Sequence, residues 1–363
     1  NTAGIAHYAR VLDVLRKRDI TPLVTLWHWD TPLWIEELGG WLNDDMPAYF
    51  AEYASAVFRA YGQSEIQNWL TLNEPHTVAT AGYMYGVGAP GRCSERSVCA
   101  QGNSSTEPYI VAHNMLRAHA HTVSIFRQLQ TEGVVRQDAR ISMAISADWT
   151  EPWDATCEAD IAAAERRQAF QVGWFAEPLR SGDYPPIMRK LVGNRLPVFS
   201  QQDTAMLKNS WDYFALNHYT SRYGREEDVE IRQQQGCKPL ESRHEIWKKD
   251  MKQPTEATWD TDQHMDDLIY DIAGNPIGWP AQSDWLYAVP WGMHKLLVWL
   301  GKTYASANSD IGQKSLSIWI TENGVDIADK GADQQQLQRT NNMQQEVEVN
   351  EDSGLADDKR ILY

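Results

Sequence analysis

The sequence predicts an α/β fold in which parallel strands alternate with helices, the arrangement that closes into a (β/α)8 barrel. Apolar runs of strand length recur between stretches of helical period, helix then strand, several times over. Two of these runs, Trp69-Leu70-Thr71-Leu72-Asn73-Glu74-Pro75 and Ile318-Trp319-Ile320-Thr321-Glu322-Asn323-Gly324, carry a glutamate beside an Asn and a chain-breaking residue. Each places a carboxylate at the C-terminal end of a buried strand, where such a barrel gathers its chemistry.

Taken in order, Asn1 has the character of an N-cap, and Ile5, Tyr8, Leu12 and Leu15 follow at helical spacing. Pro22 to Trp27 reads as a buried strand. Phe50, Tyr53, Ala54, Val57, Phe58 and Tyr61 form an apolar helical stripe stopped by Gly62, and Trp69 to Leu72 is the next strand. A helix over about 109–129 leads to the strand Arg140 to Ile145. The Ala-rich stretch Asp160 to Trp174 is predicted as helix and Trp211 to Asn217 as strand. Met293 to Tyr304 is helix again, and Leu316 to Thr321 is the last strand. Residues 224–258, charged and Gln-rich, read as a surface insertion, and 333–350 as a Gln/Asn-rich solvated loop. Neither divides the chain, so 1–363 is expected to be one catalytic domain.

Composition narrows the function. Hydrophobic residues at 42% and charged ones at 23% describe a soluble globular protein, and no apolar run reaches the roughly 18 residues a membrane span needs. The net charge of -16 repels phosphate, which argues against nucleic acid or an anionic membrane as partner. The 16 Trp and 15 Tyr suit an uncharged sugar, because flat rings stack on its C–H faces. About three-quarters of the Trp residues are expected simply to fill core. Cys93 and Cys99 lie in a Gly/Ser-rich loop at a spacing that can close a small disulfide ring, and Asn103-Ser104-Ser105 matches a glycosylation acceptor. Together they point to an oxidising compartment, secreted or vacuolar. Two unpaired thiols and an unused acceptor are the alternative.

Two carboxyls are what cleavage of a glycosidic bond requires, one to protonate the leaving oxygen and one to face the anomeric carbon. Glu74 and Glu322 are the candidates. Facing each other at about 5 to 5.5 Å they would act with retention of configuration, through a covalent glycosyl-enzyme. The nucleophile must be ionised and so should accept hydrogen bonds; Glu322, with Thr321 and Asn323 beside it, suits that role. The acid must hold its proton, in a less polar site near another anion; Glu74 suits it. Spacing alone does not settle which is which.

The two segments resemble glycoside hydrolase family one, the β-glucosidase family, whose acid/base lies in Thr-x-Asn-Glu-Pro and whose nucleophile lies in Ile/Val-Thr-Glu-Asn-Gly. The resemblance implies Glu74 as acid/base, Glu322 as nucleophile and Asn73 as a partner of the sugar 2-hydroxyl. Thr25-Leu26-Trp27-His28-Trp29-Asp30 is similar to the family's Thr-Leu-Tyr-His-Trp-Asp, which implies that His28 binds a glycone hydroxyl. Asn217-His218-Tyr219-Thr220 resembles Asn-Tyr-Tyr-Thr, so Asn217 joins the substrate site and Tyr219 donates to the nucleophile; His218 departs from the pattern. Gly86 to Gly91, Gly102 to Tyr109, Gly182 to Pro185 and Asn194 to Pro197 are further similar landmarks, and Cys93 with Cys99 looks most like plant-type members.

The family's first two strands carry a Gln and an Arg expected upstream of Asn1, and its eighth carries a Trp and a Glu expected after Tyr363. The chain is therefore expected to hold strands three to seven and to be a piece of a longer protein. The resemblance implies hydrolysis of terminal β-D-glucosidic bonds, a β-glycoside or oligosaccharide as small-molecule partner, and no cofactor or metal. A catalytically inactive carbohydrate-binding pseudoenzyme or truncated product is the second reading, and transfer to an acceptor other than water a third.

Plainer roles suffice elsewhere. A lone Asn-Glu-Pro is usually a turn, and a lone His usually a satisfied core residue; joint occurrence in the right order is what gives these segments weight. His113, His119 and His121 share a helical stretch, but His119 and His121 do not share a face.

Overall fold

The computed structural model describes residues 1–238, 256–307 and 315–327. Ten strands are described: β1 Leu23–Trp27, β2 Asn68–Asn73, β3 Arg140–Ser146, β4 Trp149–Pro152, β5 Phe214–Asn217, β6 Ser221–Glu226, β7 Met265–Leu268, β8 Trp279–Pro280, β9 Tyr287–Ala288 and β10 Ile318–Glu322. β1, β2, β3, β5 and β10 form one sheet in that order, and every neighbouring pair is parallel. These five are the strands expected from the apolar runs. Strands buried on both faces need no polar alternation, and every residue of β2 is buried.

The helices cover the outer face. The main ones are α1 Thr2–Arg16, α2 Met46–Tyr61, α3 Glu107–Thr131, α4 Glu158–Gln168, α5 Trp174–Ser181 and α6 Pro290–Leu300. Asn1 caps α1 by accepting the Ala3 amide at 2.9 Å. Phe58 of α2 meets Trp69 of β2 edge-on at 5.2 Å and Phe126 of α3 at 5.1 Å. All three rings are essentially inaccessible, each burial contributing about 1.5–3 kcal/mol. On the same face His119 of α3 meets Thr71 Oγ1 through Nδ1 at 2.7 Å and the Ser210 carbonyl through Nε2 at 3.0 Å. It is a core residue, and burial holds its pKa down at about 3. On the opposite face Leu70, Ala144, Tyr213 and Ala215 form a second, smaller cluster.

Four sequence expectations are corrected. The helix predicted over 160–174 ends at Gln168, widens into a single π turn over Ala169–Gly173 and resumes as α5. The strand predicted from Trp211 starts at Phe214, because Asp212 is committed elsewhere: its Oδ2 accepts the Ile141 amide at 2.8 Å. Residues 224–258 are not all irregular. Gly224 to Glu226 complete β6, which pairs parallel with β4 and antiparallel with β7, and Val229–Gln234 is a helix capped by Asp228. The charges that mask this strand are paired: Arg225 with Asp266 at 2.7 Å and Glu226 with Arg166 at 2.8 Å. Lastly, seven Trp residues are buried and five exposed among the described residues, fewer in the core than composition suggests. Residues 333–350 lie outside the described residues.

Two disulfides join Cys93 to Cys99 and Cys157 to Cys237. The first closes the loop before α3, where a Cβ on Gly86 would run into Cys99 Sγ. In the same loop Asn103 has a structural use. Its Oδ1 accepts the amides of Ser105 and Thr106 at 3.0 and 3.1 Å at the start of α3.

Candidate active site

The C-terminal ends of the five parallel strands bring together Asn73, Glu74, Asn217, Tyr219, Glu322 and His28. In both glutamate-bearing strands the pairing slips just before the glutamate, between Leu70 and Asn73 against β3 and between Ile320 and Glu322 against β5. Strict alternation would place Asn73 on the face of Trp69 and Thr71, toward the helices. The slip turns it instead to the face of Leu70, as bulges beside reactive sites commonly do. Glu74 then takes a left-handed backbone conformation with φ +43°. That is unusual for a residue with a side chain, and it ends the strand and starts a short turn at Pro75.

Glu74 is buried, at 7% exposure. Its Oε1 accepts from Asn217 Nδ2 at 2.8 Å and its Oε2 from Thr77 Oγ1 at 2.7 Å. Burial raises its pKa; the bonds from Asn217 and Thr77 pull the other way, and the charges of Glu322 and Asp148 push it further up. Glu322 is partly buried at the end of β10, and its Oε2 accepts from the Tyr219 hydroxyl at 2.8 Å. Glu74 therefore feels the charge of Glu322, and each glutamate is held by a residue at or just after the end of β5.

Asn217 is the hinge of this network. Its Nδ2 also reaches Asn73 Oδ1 at 3.1 Å, and its Oδ1 accepts from Thr321 Oγ1 at 2.6 Å. Asn73 Nδ2 lies 3.2 Å from His28 Nε2, and the Asn73 carbonyl accepts from Trp29 Nε1 at 2.9 Å. His218, where the sequence departs from the family pattern, is buried and turned away, with Nδ1 2.8 Å from the Ala147 carbonyl.

Thr321 and Asn323 are not the donors to Glu322 that their adjacency suggests. Thr321 donates to Asn217, and Asn323 donates to the His218 carbonyl at 2.7 Å. Sequence neighbours on a strand point to opposite faces, and the donor to Glu322 comes instead from Tyr219, in the turn after β5. Thr77 was missed, although its position three residues after Glu74, across one helical turn, is a signal for such a contact. Trp29 was missed as a partner of Asn73 because nothing local marks its indole as a donor across to the next strand.

The sequence model described as Glycosyl hydrolase family 1 matches residues 1–358. The chain belongs to that family. It is 40% identical over 337 residues to β-glucosidase 6 of Oryza sativa subsp. japonica, covering 90% of this chain and 56% of that protein. It is 37% identical over 346 residues to raucaffricine-O-β-D-glucosidase of Rauvolfia serpentina, covering 90% and 58%. The chain thus spans less than three-fifths of the length of these relatives. Among solved structures it is similar to a rice β-glucosidase, with TM-score 0.81 and 36% identity over 97% of this chain and 69% of that one. A mutant of a rice β-glucosidase, described in a covalent complex with Glc, matches with TM-score 0.80 and 35% identity over 96% and 68%. The fold is accordingly the family's TIM barrel.

Proposed function

We propose that the protein hydrolyses terminal β-D-glucosidic bonds with retention of configuration, Glu322 acting as nucleophile and Glu74 as acid/base. The observation that carries this is the division of labour at the end of β5. Asn217 donates to Glu74 and Tyr219 donates to Glu322, which sets one buried carboxyl of raised pKa against one tied to a phenolic donor. Two carboxyls in unlike surroundings are what an acid and a nucleophile require. The names of the relatives, and the covalent glucose of the rice mutant, support a β-glucoside as substrate.

On this reading Asn73 and His28 bind sugar hydroxyls, and Asn217 aligns Asn73 with Glu74. Attack by the Glu322 carboxylate on the anomeric carbon, with proton transfer from Glu74 to the leaving oxygen, forms the glucosyl-enzyme. Glu74 then takes a proton from water as it attacks the same carbon and frees Glu322. The five-stranded sheet stands for strands three to seven of the family's eight. The described residues are taken as parts of one catalytic domain.

Mass spectrometry of the naturally expressed protein after treatment with an activated 2-deoxy-2-fluoro-β-glucoside tests the assignment. One fluoroglucosyl unit on Glu322 is expected; a label on Glu74, or none, refutes it. A second prediction concerns pH. Thr77 donates to the Glu74 carboxylate and so favours its charged form. Thr77→Val is expected to raise the Glu74 pKa further and to move the alkaline limb of kcat/KM to higher pH. A limb that stays in place or moves to lower pH would exclude Thr77 from this role.

A further inference from the structure

A pocket adjoins the Glu322 segment, lined by Tyr219, Trp285, Leu286, Asn323, Val325 and Asp326. The loop 281–286 contributes Trp285 and Leu286 to its wall. Trp285, half exposed on that loop, meets the ring of Tyr219 edge-on at 6.2 Å, and Tyr219 is the residue that holds Glu322. Two anchors fix the loop. On one side Arg222 donates to the Trp285 carbonyl at 2.6 Å, and Thr220 Oγ1 donates to the Tyr287 carbonyl at 2.9 Å. Both residues follow the end of β5.

The second anchor is Asp326, four residues after Glu322. Its Oδ2 accepts the Ser283 amide at 2.9 Å and also the Ser283 hydroxyl, and its carbonyl accepts the Gln282 amide at 3.3 Å. A carboxylate taking two donors from one residue makes a charge-assisted clamp stronger than neutral bonds. It joins the loop to the segment that carries Glu322. We infer that Asp326 is a positioning residue that, through Ser283, holds Trp285 over Tyr219 and so fixes the wall met by the leaving group.

The inference rests on the proposed glucosidase reading, with the wall at the β5–β10 end of the sheet and the Asn73–His28 sugar contacts at its β1–β2 end. A group that occupies only those contacts has little use for the wall, whereas a second sugar needs it. Small displacements of a positioning element change rates strongly.

The test uses the full protein and Asp326→Ala, Asp326→Asn and Ser283→Ala. Asp326→Ala is expected to lose about tenfold more kcat/KM on cellobiose than on methyl β-glucoside. Ser283→Ala should show the same bias, more weakly, and serves if the alanine variant does not fold. Asp326→Asn keeps an acceptor oxygen and should recover kcat/KM on cellobiose to within about threefold of the unaltered protein. Equal losses on both substrates, no loss, or an Asn variant as impaired as the Ala variant would overturn the inference.

Hydrogen exchange separates this from failure of the functional reading. In Asp326→Ala the Ser283 amide should exchange about tenfold faster or more, and in Asp326→Asn at the original rate. Unchanged exchange in Asp326→Ala refutes the clamp. If the unaltered protein cleaves neither substrate, the glucosidase reading fails, and the exchange rates still decide whether Asp326 holds the loop.

Discussion

Replacing Glu322 by glycine is expected to lower kcat for β-glucoside hydrolysis in the naturally expressed protein by at least about four orders of magnitude, the scale on which loss of a covalent nucleophile acts. The other glutamate of the site, Glu74, is held by Asn217 and Thr77, and on the proposed mechanism it serves the opposite side of the bond. The substitution should leave the fold intact, because β10 keeps its pairing to β5 through Ile318, Trp319 and Ile320. It also opens space below the anomeric carbon. An α-glucosyl fluoride, which mimics the covalent intermediate, should then be accepted and its glucosyl group passed to a sugar acceptor, with Glu74 removing the acceptor proton. The product has no nucleophile to cleave it and should accumulate. Hydrolysis of a dinitrophenyl glucoside within about tenfold of the original rate would refute the assignment of Glu322.

Much of this site was legible in the sequence, and the reason is geometric. The end of a buried parallel strand is marked twice, by the apolar run and by the residue that breaks it. Glu74 before Pro75 and Glu322 before Asn323-Gly324 carry both marks. The sheet strands were legible from their continuous apolar runs, which burial on both faces requires of β2 and β5 and which β1 and β10 keep although they are only partly buried. What could not be read is whatever depends on partners far apart in sequence. β6 and β7 are rich in charge, and their strand character rests on ion pairs such as Arg225–Asp266, 41 residues apart. The slips at Asn73 and Glu322 depend on β3 and β5, so simple alternation misplaces the side chains beside them. The donor to Glu322 was right where it came from the family resemblance, through Tyr219, and wrong where it came from adjacency, through Thr321 and Asn323.

The slips also show why the two glutamates can share one network. A carboxylate at the end of a strand and a partner on the neighbouring strand meet only if the pairing brings them level. In β10 the irregularity sets Glu322 opposite Asn217, and Asn217 reaches Glu74. One short strand, Phe214–Asn217 with the turn that follows, thereby links the two glutamates. A substitution at Asn217 should disturb both, whereas one at Thr77 or Tyr219 should disturb one.

Glu74→Ala is the second large effect, and its size should depend on the leaving group. General acid catalysis contributes about 10²- to 10⁴-fold, but only where the departing oxygen needs a proton. With methyl β-glucoside the variant should lose kcat/KM toward the upper end of that range. With a dinitrophenyl glucoside bond cleavage should be nearly unaffected, and breakdown of the glucosyl-enzyme, now without a base, should limit turnover. Added azide needs no base and fits the space left by the side chain, so it should restore turnover and yield β-glucosyl azide. The pH profile follows from the same physics. Burial, and then the charge of Glu322, raise the Glu74 pKa, so the acid keeps its proton above the ordinary glutamate range. Activity should fall as pH rises through that pKa, and the alanine variant should lack this limb. On the proposed mechanism, esterification removes the charge of Glu322, which should lower the Glu74 pKa and suit the same carboxyl to act as the base in deglycosylation. Equal losses on methyl and dinitrophenyl glucosides, with the alkaline limb retained, would show that Glu74 is not the acid.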